Sequence, residues 1–480
     1  MTGYKIMCAA LGVALLGGCA VGPDYKRPDT PVPVAYKETA GWKIAEPRDE
    51  LVRGKWWKMF GDSALDALLE QVNISNQSLK VSEARFRQAQ ALTQSARANF
   101  YPTVSANASS TRSRAAASRS VLGNDVSTNH NLNLSAGWEI DVWGRIRRTV
   151  EANDASVQAS AADLEAARLS LHSELASSYF QLRVNDAQKQ LFADTITAYE
   201  KSLELTKNRY AVGVVGKVDV VQAETQLLSA QAQSIDLGVQ RAQLEHAIAV
   251  LIGKPPADFS LSGIEASGGP SADWKVAMPV FPIGLPSTLL ERRPDIAAAE
   301  RRAAAANAQI GVAKAAYFPT LSLTGSVGFA SPTLANWISA PNRAWPLGPS
   351  LAETLLDFGK RGALTDQAIA AYDQTVASYR LTVLGAFQDV EDNVAALRIL
   401  EQEAKVQAEA VRAARESVAL TLNQYKAGTI SYLSVVTVQT AQLSNERTSV
   451  GLLGRRLSAT VGLVRALGGG WNASDLIATN

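Results

Sequence analysis

The chain has 480 residues, of which 47% are hydrophobic, with a formal charge of +2 and two cysteines. That length leaves room for two or three ordinary domains, and the near-neutral balance excludes the basic footprint of a nucleic-acid binder. No apolar run beyond residue 20 approaches the roughly 20 residues a membrane helix needs, so a membrane role would have to use strands.

Residues 1–18 read as a targeting segment, with Lys5 as a short basic region and Ile6 to Leu16 as an apolar stretch too short to span. Leu16-Gly17-Gly18-Cys19 ends as a bacterial lipobox does. Cleavage before Cys19 would expose a thiol for a diacylglycerol thioether and an amine for a third acyl chain. Three chains exceed the two signals that stable anchoring takes. Ala20, rather than aspartate, at the next position resembles lipoproteins sent to the outer membrane. Cys8 lies in the removed segment, so one cysteine remains and no internal disulfide can form.

Residues 19–61 read as an extended arm. Pro23, Pro28, Pro31, Pro33 and Pro47 exclude a long helix, while Trp42, Trp56, Trp57 and Phe60 are expected to pack the arm against a folded body. A first structural repeat, 62–252, opens with a helix capped by Asp62 or Ser63 and patterned to about Ala98. Phe100-Tyr101-Pro102-Thr103 then begins a β-hairpin, 100–142, with a strand through Ala108, a loop from about Thr111 to Ser127, and a returning strand. In that strand His130, Leu132, Leu134, Ala136, Trp138 and Ile140 face one way, and Asn131, Asn133, Ser135, Gly137, Glu139 and Asp141 the other. A β-sandwich strand could alternate in the same way.

From Arg145 to about Arg209 a helix runs without Pro or Gly; at ~1.5 Å per residue it measures on the order of 100 Å. Its apolar positions step by seven through Val150, Val157, Leu164 and Leu171, then through Leu175, Leu182, Ile196, Leu203 and Tyr210. A sustained heptad predicts packing against neighbouring helices at coiled-coil spacing. A turn over Val212 to Gly216 and a helix from Asp219 to about Leu251 complete the repeat.

Residues 253–286 form a Pro/Gly-rich connector, and in 287–467 the pattern returns. An Ala-rich helix from Pro294 to Ala316 precedes a hairpin, 318–357, in which Leu321, Leu323, Val327 and Phe329 alternate with Ser322, Thr324, Ser326 and Gly328. Tyr317-Phe318-Pro319-Thr320 repeats the earlier Phe-Tyr-Pro-Thr, and Leu356-Asp357-Phe358-Gly359-Lys360 repeats Asp141-Val142-Trp143-Gly144-Arg145. Gly144 and Gly359, like Gly213 and Gly428, lie 215 residues apart (359 − 144 and 428 − 213). Shared motif, offset and heptad phase indicate a tandem duplication, followed by a tail at 468–480.

Two strands per half make four per chain. Open strand edges are not tolerated in lipid, and bacterial barrels begin at eight strands. Two chains would close a barrel narrow enough to fill with its own side chains, whereas three would supply twelve strands and leave a lumen. A channel role therefore favours a trimer.

The stretch ERRPDIAAAE…AANAQIG.A.AAYFPTLSLTG resembles the hallmark of outer membrane factors, the TolC-like exit ducts of efflux pumps, and is most similar to their NodT-type lipoprotein branch. The resemblance covers nearly the whole mature chain. It implies a mixed α and β membrane protein, a homotrimer whose twelve-stranded barrel sits on a periplasmic helical tunnel. Leu132, Leu134, Trp138, Leu321, Leu323, Val327 and Phe329 would then face lipid. Implied partners are a periplasmic adaptor and an inner-membrane pump, proton-driven, delivering drugs or other small amphiphiles. The implied localisation is the outer membrane, anchored through lipid on Cys19, with no other cofactor. The family narrows at the far helical tip into a gate that meets the adaptor. Matching positions here are Arg209, Tyr210 and Asp219 in the first half and Tyr425, Thr437 and Gln439 in the second, though heptad packing at the helix ends explains the tyrosines equally well. Thr437 stands where the family usually carries aspartate, which predicts a less acidic aperture. Glu353 shares a face with Leu351 and Leu355, which is expected either to place it at the periplasmic rim of the barrel or to mark a register bulge.

No catalytic constellation is visible. His130, His172 and His246 have no metal-ligand spacing, and no Gly-rich phosphate loop, nucleophile elbow or HExxH occurs. Only Met59 and Met278 follow the targeting segment, too few for a methionine relay. The alternatives to an efflux duct are the exit duct of type I protein secretion, against which the lipobox weighs, and a coiled-coil structural lipoprotein, which has no use for alternating strands.

Overall fold

In chain order the computed structural model, which describes residues 20–38, 55–114, 126–263 and 292–471, has seven α-helices and five strand segments among those residues. The helices are α1 Ser63–Ser75, α2 Gln77–Ala98, α3 Arg145–Ala211, α4 Lys217–Leu251, α5 Pro294–Ala315, α6 Lys360–Lys426 and α7 Tyr432–Ala466. The strands are β1 Thr103–Arg114, β2 Val126–Ile140, β3 Thr320–Ser331, β4 Arg343–Ala344 and β5 Leu347–Ala352. Three α-helices of the first half have partners of equal length in the second: α2 and α5 have 22 residues, α3 and α6 have 67, and α4 and α7 have 35. The two long pairs begin 215 residues apart (360 − 145 and 432 − 217), the offset of the repeated glycines. No helix among the described residues is long and apolar enough to cross a membrane. The chain divides into two units, one made of the described parts of Met1–Asp29, Arg85–Ala161 and Ala298–Arg380, the other of Thr30–Ala84, Ala162–Ala297 and Leu381–Asn480.

The first unit is built on the sheet. β1 pairs antiparallel with β2, β2 with β3, and β3 with both β4 and β5. Residues paired across an antiparallel ladder share a face. The register sets Ala106 against Leu134, Leu134 against Val327, Trp138 against Leu323, and Leu321 against Leu351, all on one apolar face. Ser105, Ser135 and Ser326 lie in one row on the other face, where the Oγ atoms of Ser105 and Ser135 are 2.8 Å apart. Among the described residues β1 and the β4–β5 edge are paired on one side only.

The strands differ from the sequence expectation in two ways. β1 continues past Ala108 to Arg114, and β2 begins at Val126, because ladder hydrogen bonds join backbones and persist through the polar Ser109–Asn131 and Thr111–Asn129 pairs. The last strand is interrupted into β4 and β5 around Pro346, which has no N–H to donate. Its carbonyl still accepts from Ser326 N at 2.9 Å, so the interruption does not shift the register. Glu353 directly follows the last residue of β5 and is exposed.

Strand and helix meet through aromatic and capping contacts. Trp143 stacks on Phe318 with centroids 4.7 Å apart, and its Nε1 donates to Pro319 O at 2.8 Å. The Asp141 carboxylate accepts from Ile146 N and Arg147 N, each at 2.9 Å, and so satisfies orphan donors at the start of α3. Asp357 repeats the device on Gly359 N and Arg361 N. The arm is strapped to this unit: Val21 N donates to Trp143 O, Asn307 Nδ2 to Pro23 O, and Tyr25 Oη to Glu300 Oε1 at 2.6 Å. Cys19 and residues 1–18 lie outside the described residues, as do Trp42, the loop at 115–125, the connector at 264–291 and the tail from 472.

In the second unit the first predicted helix is broken at Asn76 into α1 and α2. The cause is tertiary. Asn76 Nδ2 donates to Leu251 O at 2.7 Å while its Oδ1 accepts from Leu79 N at 2.8 Å, so one side chain caps the start of α2 and satisfies a carbonyl at the end of α4. Asp62 caps α1 through Ala64 N and Leu65 N, and its other oxygen accepts the Tyr179 hydroxyl at 2.6 Å. Trp56, Trp57 and Phe60 are buried, with Phe60 on Phe180 at 4.8 Å and Trp57 on His172 at 4.8 Å.

His172 is interior, its Nε2 3.0 Å from Asn73 Oδ1. Desolvation, assisted by the Arg168 charge, lowers its pKa from 6.5 to about 4. The unfolded chain therefore binds the additional proton first as pH falls, so the stabilising effect of a neutral His172 is whole above pH 6.5 and declines until about pH 4. Across that window the expected loss is about 3 kcal/mol. His172→Gln, denatured at a series of pH values, should show a shallower decline than the parent, whereas an unchanged slope would assign the acid sensitivity elsewhere.

Candidate functional site

The sequence positions singled out for a gate gather where two helical hairpins turn, all within the second unit. α3 reaches α4 through Gly213, and α6 reaches α7 near Gly428, with φ of 75° and 80°. Gly213 N donates to Tyr210 O and Val214 N to Arg209 O, and Gly428 N and Thr429 N repeat the pattern on Tyr425 O and Gln424 O. These are paired Schellman closures, which satisfy the last helical carbonyls and require a left-handed residue, hence glycine.

Arg209 joins the two turns. Its Nη1 donates to the carbonyls of Tyr425 and Lys426, and its guanidinium lies over the Tyr425 ring, 4.6 Å from the centroid. A cation from α3 thus caps the negative end of α6. Tyr425 is 1% exposed and packs edge-on against Tyr432 at 5.3 Å. The Tyr425 hydroxyl donates to Thr206 Oγ1 and that of Tyr432 to Ser202 Oγ, both at 3.3 Å. Burial raises the Tyr432 hydroxyl pKa above its ordinary value.

The remaining predicted positions part company. Tyr210, the repeat counterpart of Tyr425, is 46% exposed. Asp219 is half-buried in the first turn of α4. Thr437 is exposed on α7, its hydroxyl turned back to Leu433 O at 2.9 Å. Gln439 is 5% exposed and lines a cavity of about 1080 Å³ among α3, α6 and α7. Arg415 and Glu446 stand in the same wall, joined at 2.6 Å. Sequence reasoning missed Tyr432 and the Arg415–Glu446 pair. A signal for the first existed, since the position 215 residues earlier is Lys217 and the halves differ there. Nothing local marks the second.

The seven residues expected to face lipid share the apolar face of the sheet: Leu132, Leu134 and Trp138 on β2 stand opposite Phe329, Val327 and Leu323 on β3, with Leu321 beside Ile140.

The profile of the family described as outer membrane efflux protein matches residues 68–254 and 285–469, one match to each repeat. The chain belongs to the outer membrane efflux protein family. This is a family of channel and transport proteins rather than of enzymes. Among relatives, the antibiotic efflux pump outer membrane protein ArpC of Pseudomonas putida is 31% identical over 97% of this chain and 96% of its own length. The outer membrane protein OprJ of Pseudomonas aeruginosa is 31% identical over the same shares. Among solved structures the outer-membrane channel OprN superposes with a TM-score of 0.86 at 32% identity, covering 94% of this chain and 100% of that one.

Proposed function

We propose that this chain is the outer membrane exit duct of a tripartite efflux pump, a homotrimer that passes drugs, solvents or other small amphiphiles from an inner-membrane pump and periplasmic adaptor to the outside. One observation supports the channel reading above the rest: a four-stranded path, apolar on one face and small-polar on the other, and among the described residues paired on one side only at both edges. Such a sheet cannot stand alone in lipid, and three copies would close it around a lumen walled by Ser105, Ser135, Ser326 and their neighbours. The apolar face, including Leu132, Leu134, Trp138, Leu321, Leu323, Val327 and Phe329, would meet lipid. Cleavage before Cys19 and acylation of that residue would anchor the arm, and 1–18 would be the removed signal. No catalytic step is part of this role.

The helical tip is the proposed gate and adaptor contact, with Arg209, Tyr210, Asp219, Tyr425, Thr437 and Gln439 as its residues. Thr437 carries no charge, so Asp219 is the carboxylate left to shape the aperture. The channel is expected to be only weakly cation-selective, and Asp219→Asn should abolish most of what selectivity remains. Reversal potentials across planar bilayers under a salt gradient would measure this. Strong selectivity that survives both Asp219→Asn and Thr437→Val would refute the assignment.

The test of the duct itself is mild crosslinking in native cells, purification through this chain, and identification of what is attached. A proton-driven pump with its adaptor is the expected outcome. An ATP-driven exporter would move the role to protein secretion, and a trimer with no inner-membrane partner would remove the tripartite mechanism.

A further inference from the structure

The apolar face of the sheet changes character at one end. Ile140 to Leu132 on β2 and Leu321 to Phe329 on β3 form its apolar part. Each run is nine residues, within the roughly 9–11 that a tilted membrane strand uses to cross the apolar layer. Past Leu132 the same face carries His130, Thr128 and Val126, with Ser110, Arg112 and Arg114 opposite them in turn on β1. On the opposite edge Arg343 of β4 stands against Phe329, at the limit of the apolar part. Arg112, Arg114 and Arg343 are exposed, and among the described residues none pairs with a carboxylate.

The charge is one-sided. Residues 109–114, 126–131 and 330–346 contain these arginines and no Asp or Glu, whereas the other end of the sheet holds Glu139, Asp141, Glu353 and Asp357. Three of the acids there are matched, Glu139 by Arg145, Asp141 by Arg147 and Asp357 by Arg361. Unpaired cations above an apolar wall are complementary to an amphiphilic anion. Arginine forks grip phosphate oxygens in pairs, and acyl chains can lie on Leu132, Leu134 and Phe329 below. Free phosphate would leave that wall unused.

We propose that Arg112, Arg114 and Arg343 bind the phosphate groups of a multiply acylated anionic glycolipid in the outer leaflet, at the seam where two copies of the chain meet. The proposal rests on the barrel reading, since β1 and β4 are opposite edges within one chain and only closure by further copies brings Arg343 beside Arg112 and Arg114. The bound lipid would neutralise cations gathered at each seam and cover the joint between copies.

The test uses the full-length chain purified in neutral detergent, with retained lipid counted by native mass spectrometry. The probes are bisphosphorylated lipid A, its dephosphorylated form, phosphatidylglycerol and inorganic phosphate. The expected result is about one lipid A per seam, held at least about tenfold more tightly than the dephosphorylated form. The triple variant Arg112→Gln, Arg114→Gln, Arg343→Gln should lose that preference while remaining trimeric, and Arg343→Gln alone should lose part of it. Unchanged preference in the triple variant overturns the site. Equal retention of phosphatidylglycerol, or stabilisation by inorganic phosphate alone, reduces it to general surface charge and also overturns it. Crosslinking the parent chain separates the two levels. Absence of a trimer removes the barrel reading and the seam with it, whereas a trimer indifferent to the arginines removes the lipid site alone.

Discussion

Gly468→Ala should cost the protein on the order of 3–5 kcal/mol, as should its repeat counterpart Gly253→Ala. Both follow the last turn of a long helix, with φ of 88° and 71°, in the left-handed region where a side chain costs about 1–2 kcal/mol. The larger difficulty is space. A Cβ at 468 would stand 2.0 Å from Arg292 O, and one at 253 would stand 2.2 Å from Ser75 O. Those obstacles are backbone and are held in place: Ser75 Oγ donates to Ile252 O at 2.5 Å, and Arg293 reaches Ala466 O at 3.3 Å and Asp389 at 3.1 Å. Neither neighbour can withdraw without breaking a contact of its own. Denaturant titration of purified protein, and the amount of heat-resistant trimer in membranes, should both fall sharply. Gly451→Ala is the control, since nothing lies within 4 Å of its added carbon; it should stay within about 1 kcal/mol of the parent. Equal losses in all three variants would mean that the close approach of the backbones is not what matters.

Arg209→Ala should produce the largest functional change. The guanidinium supplies two charge-assisted bonds to the end of α6 and a cation over an aromatic face. Bonds of that kind contribute about 1.5–3 kcal/mol each when they are kept from water. Partial exposure discounts this, so we expect a tenfold or greater shift toward the open state in single-channel recordings. Arg209→Lys should restore little, because an ammonium lacks the planar fork and the stacking surface. Tyr425→Phe should behave almost as the parent does, since Arg209 holds the carbonyl at 425 and the hydroxyl donates to Thr206 at a long 3.3 Å. A large effect of Tyr425→Phe with none at Arg209 would exchange the roles of ring and cation.

Arg209 also marks the limit of what the tandem pattern can convey. The duplication is written in the chain at one offset, and Tyr210 and Tyr425 occupy the same place in it. Their surroundings are opposite, one side chain being 46% exposed and the other 1%. The position before each decides the matter: it is Arg209 in the first half and Gln424 in the second. Only the first has the reach and charge to cross to the other turn. Heptad phase could place both tyrosines at the same helix end, but it could not say which one the partner hairpin would cover.

Neighbours close in the chain are enough to set several of the elements. Period-two alternation assigned Leu134 and Val327 to an apolar face, the glycines at 213 and 428 set the helical turns, and the equal helices follow from a copied stretch. These properties are local, because side-chain direction repeats every two or 3.6 residues whatever lies beyond. Long-range contacts account for the rest: Asn76 breaks a helix to serve Leu251 O, the ladder continues through polar pairs to Arg114, and Glu300 receives Tyr25 from 275 residues away. Each of those outcomes turns on satisfying a buried or paired polar group with a partner distant in the chain, and the composition around one residue carries no record of which distant group will arrive.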